Sequence, residues 1–272
     1  MSWKFKHALV RPPSASYAQG LTSAGQGPPN LKLAHAQHAE YCDALRRCGL
    51  KVQTLAPDER FPDGTFVEDT AVLADRVAIV TVPGAPTRVG EVASISAALE
   101  ELSADLQRIV APGSVDGGDI CQAEEHFFIG LSARTNDAGA RQLADILRAR
   151  GYTASTIDIR TNRKLLHLKS GIAYLGDRCL ALCSDFPEVP EFSGYRAIRT
   201  VAAEDYAANC VRINQHVLIA AGYPRFADAL GRMGIAIVAL DMSEFRKMDG
   251  GLSCLSLRFD TLPAGRRSVG PR

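Results

Sequence analysis

The 272-residue sequence has almost no excess charge of either sign: 31 Lys and Arg face 30 Asp and Glu, a formal net charge of +1. With no basic run carrying interleaved aromatics, that balance argues against general nucleic-acid affinity. No apolar stretch approaches the ~20 residues of a bilayer span, so no transmembrane helix is expected. Seven cysteines occur, at 42, 48, 121, 179, 183, 210 and 254, and none forms a Cys-x-x-Cys pair. Zinc-ribbon and thioredoxin-like readings therefore lose their signature, and no metal or cofactor is expected. The opening Met1-Ser-Trp-Lys-Phe-Lys-His7 shows neither an apolar signal segment nor a small-residue cleavage site. The cysteines then read as reduced thiols in a soluble cytoplasmic protein, a monomer or homodimer whose partner is a small molecule.

What is present is ordinary globular material, 46% hydrophobic and 22% charged, enough for a sizeable core. Strands alternate with helices. A first strand is expected over 5–10, followed by a Gly/Pro/Ser-rich loop over 11–29 that is long enough to be a lid. Helices are expected from Asn30 to about Cys48, from Gly90 to Leu102, from Asn136 or Asp137 to Gly151, and from Pro224 to Met233. Leu143, Ile146 and Leu147 form the apolar stripe of the third. Cys179 and Cys183, four apart in a strand expected over 178–183, should share one packed face. His38 and Cys42 sit one helical turn apart, where two metal ligands would meet, but no further ligands accompany them.

A repeat organises the chain. Segments 66–80, 118–130, 167–182 and 209–220 each read as strand, tight turn and strand, and 254–259 opens a fifth such unit that the N-terminal strand completes. They recur at intervals of roughly 45 residues, within the range typical of repeat architectures. After each hairpin come a helix, or a loop in its place, and another strand. The expected fold is an α/β five-bladed propeller of ββαβ units, a single catalytic domain over 1–259, with a disordered tail over 260–272.

Chemistry gathers where the repeats begin. Glu68 and Asp69 follow Phe66-Val67, Asp116 and Asp119 flank Gly117-Gly118, His167 follows two leucines, and Cys254 follows Gly250-Gly251-Leu252-Ser253. Taken singly, each reads as packing or as an exposed turn; their recurrence at equivalent repeat positions sends them toward one axis. Carboxylates gathered there need a cation, and a planar guanidinium meets carboxylates two bonds at a time. A nearby cation also lowers the pKa of a thiol. Cys254 would then attack the guanidinium carbon, His167 would protonate the departing amine, and water would release a urea from a covalent S-alkylthiouronium. The glycines before Cys254 suggest close approach of the backbone to a ligand.

These segments, together with Phe61-Pro-Asp-Gly-Thr-Phe-Val-Glu-Asp-Thr-Ala-Val72, Asp116-Gly-Gly-Asp119, Gly130-Leu-Ser-Ala-Arg-Thr-Asn136, Leu166-His-Leu-Lys-Ser170, Ala207-Ala-Asn-Cys210 and Lys247-Met-Asp-Gly-Gly-Leu-Ser-Cys254, resemble the dimethylarginine dimethylaminohydrolases of the guanidine-modifying superfamily. The resemblance runs from residue 5 to residue 259. It implies the five-bladed propeller and hydrolysis of Nω-methylated arginine to citrulline and a methylamine. It implies Cys254 as nucleophile, His167 as general acid and base, and Asp116 as the acid that holds the guanidinium and orients His167. Glu68 and Asp69 match carboxylates at the substrate's polar end, with Asp69 the direct guanidinium partner, and Asp63 matches a contact to the α-amino end. Arg88 and Arg134 match arginines that bind the α-carboxylate. Leu21 matches a lid residue with a backbone contact, and the carbonyl of Met248 another main-chain contact. Asp116 stands where some bacterial members carry Glu, and Val82 where some carry Arg. The alternatives are an arginine deiminase, whose added helical domain this chain has no room for, and a hydrolase of another alkylguanidine on the same scaffold.

Overall fold

The computed structural model describes residues 3–102 and 106–262. Its elements run β1 (His7–Val10), α1 (Leu31–Arg47), β2 (Lys51–Thr54), β3 (Ala71–Ala74), β4 (Val77–Val80), α2 (Val92–Leu102) and β5 (Leu106–Arg108). They continue with β6 (Ile120–Ala123), β7 (His126–Leu131), α3 (Asp137–Ala149), β8 (Thr153–Asp158), β9 (Ile172–Gly176), β10 (Cys179–Leu182) and β11 (Arg196–Arg199). β12 (Val211–Ile213), β13 (His216–Ala220), α4 (Pro224–Gly231), β14 (Ala236–Leu240), the short α5 (Ser243–Arg246) and β15 (Ser256–Phe259) complete the chain.

Among the described residues the strands form five three-stranded sheets, each an antiparallel pair extended by a parallel third strand, the pair being a hairpin in four of them. A parallel partner needs a crossover, supplied by α1, α2, α3 or α4 in four sheets and by the chain between β10 and β11 in the other. The fifth sheet joins the two ends: β15 pairs antiparallel with β1, Leu257 opposite Leu9, and β1 pairs parallel with β2. First strands of successive sheets touch around a common axis, β15 against β3, β6 against β9 and β9 against β12. This is the expected five-bladed α/β propeller, closed by its own N-terminal strand.

Apolar packing sits between the blades. Leu9, Val67, Val80, Ile95 and Leu99 fill one wedge, and Ile79, Ile120, Phe127, Leu143 and Leu147 fill the next. Leu143 and Leu147 of the expected α3 stripe are fully buried, while Ile146 packs at its margin. Helix starts follow local chemistry: the side chain of Asn30 accepts from Leu33 N–H at 3.1 Å and that of Asn136 from Gly139 N–H at 2.8 Å. Gly49 and Gly151 supply the positive φ that ends α1 and α3.

Several local expectations change. Residues 67–70 form a 3-10 turn rather than the start of a strand, with the strand beginning at Ala71. The helix expected from Gly90 is preceded by a 3-10 turn over Pro86–Glu91, because Pro86 already presets the first helical φ. Cys179 and Cys183 do not share a face. Asp177 and Arg178 take positive φ in the hairpin turn, β10 ends at Leu182, and Cys183 turns into the wedge opposite that of Cys179. His38 and Cys42 do meet, Nδ1 to Sγ at 3.7 Å, but inside the packed core. Of the tail, Asp260 pairs with Lys6 and Leu262 packs against a wedge; residues 263–272 lie outside the described residues. Among the described residues no helix is long and apolar enough to cross a membrane.

Candidate active site

Short 3-10 turns precede the first strands of all five blades: Val67–Thr70, Gly117–Asp119, Leu168–Ser170, Ala202–Ala208 and Ser253–Leu255. A 3-10 turn is tight and short, so each blade delivers its polar residues to the same end of the ring. Local bonds fix the turns: Thr70 Oγ1 donates to Val67 O at 2.7 Å, and Ser170 Oγ accepts from His167 N–H at 3.3 Å.

Four of these turns, or the residues just ahead of them, border a cavity of about 230 Å³; Ala202–Ala208 does not reach it. Cys254, His167, Asp116, Asp69, Asp63, Arg88, Arg134, Leu21 and Met248 all line it. Glu68 departs from its expected place. It turns the other way, where Lys169 Nζ approaches its Oε1 at 2.6 Å, Arg258 Nη2 donates to the same oxygen at 3.0 Å, and Ser253 Oγ donates to Oε2 at 2.7 Å. Those residues line a second cavity, of about 140 Å³, walled by the first strands of the blades. Two adjacent residues thus face separate spaces.

Buried charge around the main cavity is paired. His167 Nε2 lies 2.9 Å from Asp116 Oδ2, and Asp116 Oδ1 accepts from Gly84 N–H at 2.7 Å. Burial alone would lower the His167 pKa, but the carboxylates of Asp69, Asp116 and Asp119 outweigh it and raise it to about 9. Burial likewise works to raise Asp116, and the bond to His167 with the charges of His167 and Arg88 holds it below the usual carboxylate value instead. Asp69 is clamped on both oxygens, by Gly118 N–H at 2.9 Å and by Arg88 Nη1 at 2.6 Å. A Cβ on Gly118 would lie 2.7 Å from the His167 ring and 2.8 Å from Asp69, so only glycine lets both approach this turn. Cys254 is partly exposed on the wall. Desolvation, then the charges of Glu68 and Asp69, push its thiol up to about 12, so it is neutral when the cavity holds no cation.

The two arginines differ sharply. Arg88 is buried; its Nε donates to Glu91 at 3.0 Å, its Nη2 to Glu91 at 2.8 Å and to Phe66 O at 3.1 Å. Among the described residues the Arg134 guanidinium makes no ion pair or side-chain hydrogen bond; its backbone N–H donates to Ser132 Oγ at 2.9 Å. Arg134 is thus a cavity-wall arginine without an ion-pair partner among the described residues.

From the loop over 11–29, Leu21, Thr22 and Ser23 line the cavity. Leu21 N–H donates to both Asp63 oxygens at 3.1 Å, Thr22 Oγ1 to Lys247 O at 2.8 Å, and Ser23 Oγ to Asp249 Oδ2 at 3.0 Å. Gly250 and Gly251 do permit close approach, but to protein: added Cβ atoms would lie 2.3 Å from the Phe66 ring and 2.5 Å from the Asn209 side chain.

Sequence reasoning left Asp119 without a role. It is fully buried, accepts from Ser132 Oγ at 2.6 Å, Thr135 Oγ1 at 2.7 Å and Leu168 N–H at 2.9 Å, and so anchors the His167 turn. Glu91 was missed, although its i,i+3 spacing from Arg88 just after Pro86 was a readable signal. One oxygen or nitrogen from each of Asp69, Asp116 and His167 lies within 4.8 Å of the others, the one such grouping capable of holding a metal among the described residues.

No protein-family model matches the chain. It is 44% identical over 256 residues to the N(G),N(G)-dimethylarginine dimethylaminohydrolase of Pseudomonas aeruginosa, covering 94% of this chain and 100% of that one. Among solved structures it is similar to the dimethylarginine dimethylaminohydrolase of Pseudomonas aeruginosa in a cysteine-to-serine form complexed with citrulline, with a TM-score of 0.91, 43% identity and coverage of 94% and 100% of the two chains. A histidine-to-glycine form of dimethylarginine dimethylaminohydrolase, as an adduct with S-methyl-L-thiocitrulline, matches with a TM-score of 0.90, 43% identity and the same coverage. The chain belongs to the dimethylarginine dimethylaminohydrolase family.

Proposed function

We propose that this protein hydrolyses Nω-methylated L-arginine to L-citrulline and dimethylamine or methylamine, with Cys254 as nucleophile and His167 as general acid and base. The observation that carries the assignment of roles is His167, bonded to Asp116 at 2.9 Å, on the wall of the cavity that also holds Cys254. Asp69 and Asp116 receive the substrate guanidinium, Asp63 the α-amino group, and Arg134 the α-carboxylate. Arg88, held by Glu91, keeps the Asp69 carboxylate fixed. Glu68 acts from behind the cavity wall.

The two titrations explain the order of events. Without substrate, the thiol near 12 is protonated and the imidazole near 9 carries its proton. A guanidinium seated between Asp69 and Asp116 brings the positive charge that favours the thiolate, and the thiol proton leaves to solvent. Cys254 Sγ then bonds to the guanidinium carbon. His167 gives its proton to the methylated nitrogen, whose bond to carbon breaks as the amine leaves, and an S-alkylthiouronium remains. Neutral His167 takes a proton from water, the hydroxide adds to the same carbon, and the carbon–sulfur bond breaks to release citrulline. The loop over 11–29, whose Leu21, Thr22 and Ser23 line the cavity, excludes bulk water from the cationic intermediate.

The test is a citrulline assay comparing asymmetric dimethylarginine with unmethylated arginine. Citrulline from the methylated substrate, with equimolar dimethylamine, is the expected result. Citrulline and ammonia mainly from arginine would make the enzyme a deiminase and overturn the assignment.

A further inference from the structure

We infer that Asn209 is a positioning residue that fixes the nucleophile's turn against the turn of the acid, an inference that rests on the roles proposed above for Cys254 and His167. Asn209 follows the 3-10 turn of a blade that gives the cavity none of its charged groups. Its side chain is buried and reaches both neighbouring blades. Nδ2 donates to Lys169 O at 3.0 Å, two residues past His167, and to Ser253 Oγ at 3.2 Å. Oδ1 accepts from Ser253 N–H at 3.0 Å, one residue before Cys254.

The orientation of the amide is dictated by its partners. Lys169 O can only accept and Ser253 N–H can only donate, so the reverse orientation would oppose like groups at both ends. Gly251 presses against the amide from the nucleophile's side, where a Cβ would lie 2.5 Å from Asn209 Cγ. Ser253 has no remaining freedom: Arg258 Nη1 donates to its carbonyl at 3.1 Å and its hydroxyl donates to Glu68. Glu68 also joins the two turns, but through the side chains of Lys169 and Ser253; among the described residues this planar amide is the side chain that bonds the backbone of both. A side-chain amide with two rotatable bonds, pressed by Gly251 and bonded to both backbones, holds the two turns at a set spacing.

Sulfur attack and amine protonation happen at a carbon and the nitrogen bonded to it, and displacement of a reacting group by an ångström costs about a hundredfold in rate. Binding of the substrate's amino-acid end involves other turns, so the effect falls on turnover.

The experiment measures steady-state kinetics on asymmetric dimethylarginine, citrulline affinity and thermal midpoint for Asn209→Ala and the near-isosteric Asn209→Asp, with Cys254→Ser alongside. In Asn209→Asp the acceptor for Ser253 N–H survives, but a carboxylate oxygen faces Lys169 O. Both variants are expected to lose kcat by about tenfold to a hundredfold, with KM and citrulline affinity changed by less than about threefold. The inference is overturned if kcat stays within about threefold, if kcat and citrulline affinity fall together as a loosened cavity requires, or if neither variant folds, which would make Asn209 purely structural. An active Cys254→Ser would instead remove the reading on which the inference stands.

Discussion

At the scale of single residues the site separates chemistry from support. Cys254→Ser keeps the shape of the cavity and removes the thiolate, so turnover should fall by about ten-thousandfold or more while citrulline still binds in calorimetry. Arg88 and Arg134, which the sequence ranks as equals, should fail differently. Arg134→Ala removes the unpaired cation and should raise KM for a methylated arginine about tenfold to a hundredfold. For a simple alkylguanidine without a carboxylate it should change little, and an equal rise for both substrates would refute the carboxylate role. Arg88→Ala strands Asp69 and Glu91 as buried charges, so it should destabilise the fold by about 3–5 kcal/mol, read as a lower urea midpoint. The sequence shows which residue types gather but not which partner each takes. Glu68 and Asp69 are neighbours in one motif, and nothing in the motif tells that Lys169 and Arg258 draw one of them out of the cavity.

Elements carry the next level of constraint. The turn at 117–119 exists to bring Asp69, Asp116 and His167 together, and Gly118 is the residue where an added atom would collide with two of them. Gly118→Ala should cost more activity than stability: kcat/KM falls about a hundredfold or more, while the thermal midpoint moves by a few degrees. The helices were readable because their signals are local. Asn30, Asn136, Gly49 and Gly151 announce their ends through caps and positive φ. The 3-10 turns were not, since a tight turn and a strand start look alike over four apolar and polar residues, as at 67–70. Cys183 went astray for a similar reason. Strand periodicity holds only to Leu182, and the chain beyond is steered by Gly171, whose carbonyl accepts from Cys183 N–H at 2.8 Å.

For the whole molecule, the repeat was the most legible feature, because each blade must present the same hairpin to the axis. Its charge economy is also global, with a buried cation and several carboxylates gathered where the blades meet. A histidine whose folded pKa is raised stabilises the native state fully below the unfolded value of 6.5, and that contribution is lost as pH rises through about 9. Wild-type protein should therefore lose thermal stability between about pH 6.5 and 9, and His167→Asn should lose much less over the same interval in differential scanning calorimetry.

The seam between β1 and β15 has a temporal meaning. Translation runs from one side of that seam to the other, so the strand that completes the last blade is made first and waits for its partner. Cys254 stands just ahead of that partner, near the end of the described chain. A nascent polypeptide with four hairpins already formed carries Asp69, Asp116 and His167 but not Cys254. Clasping the ring and bringing Cys254 to the cavity wall are one event.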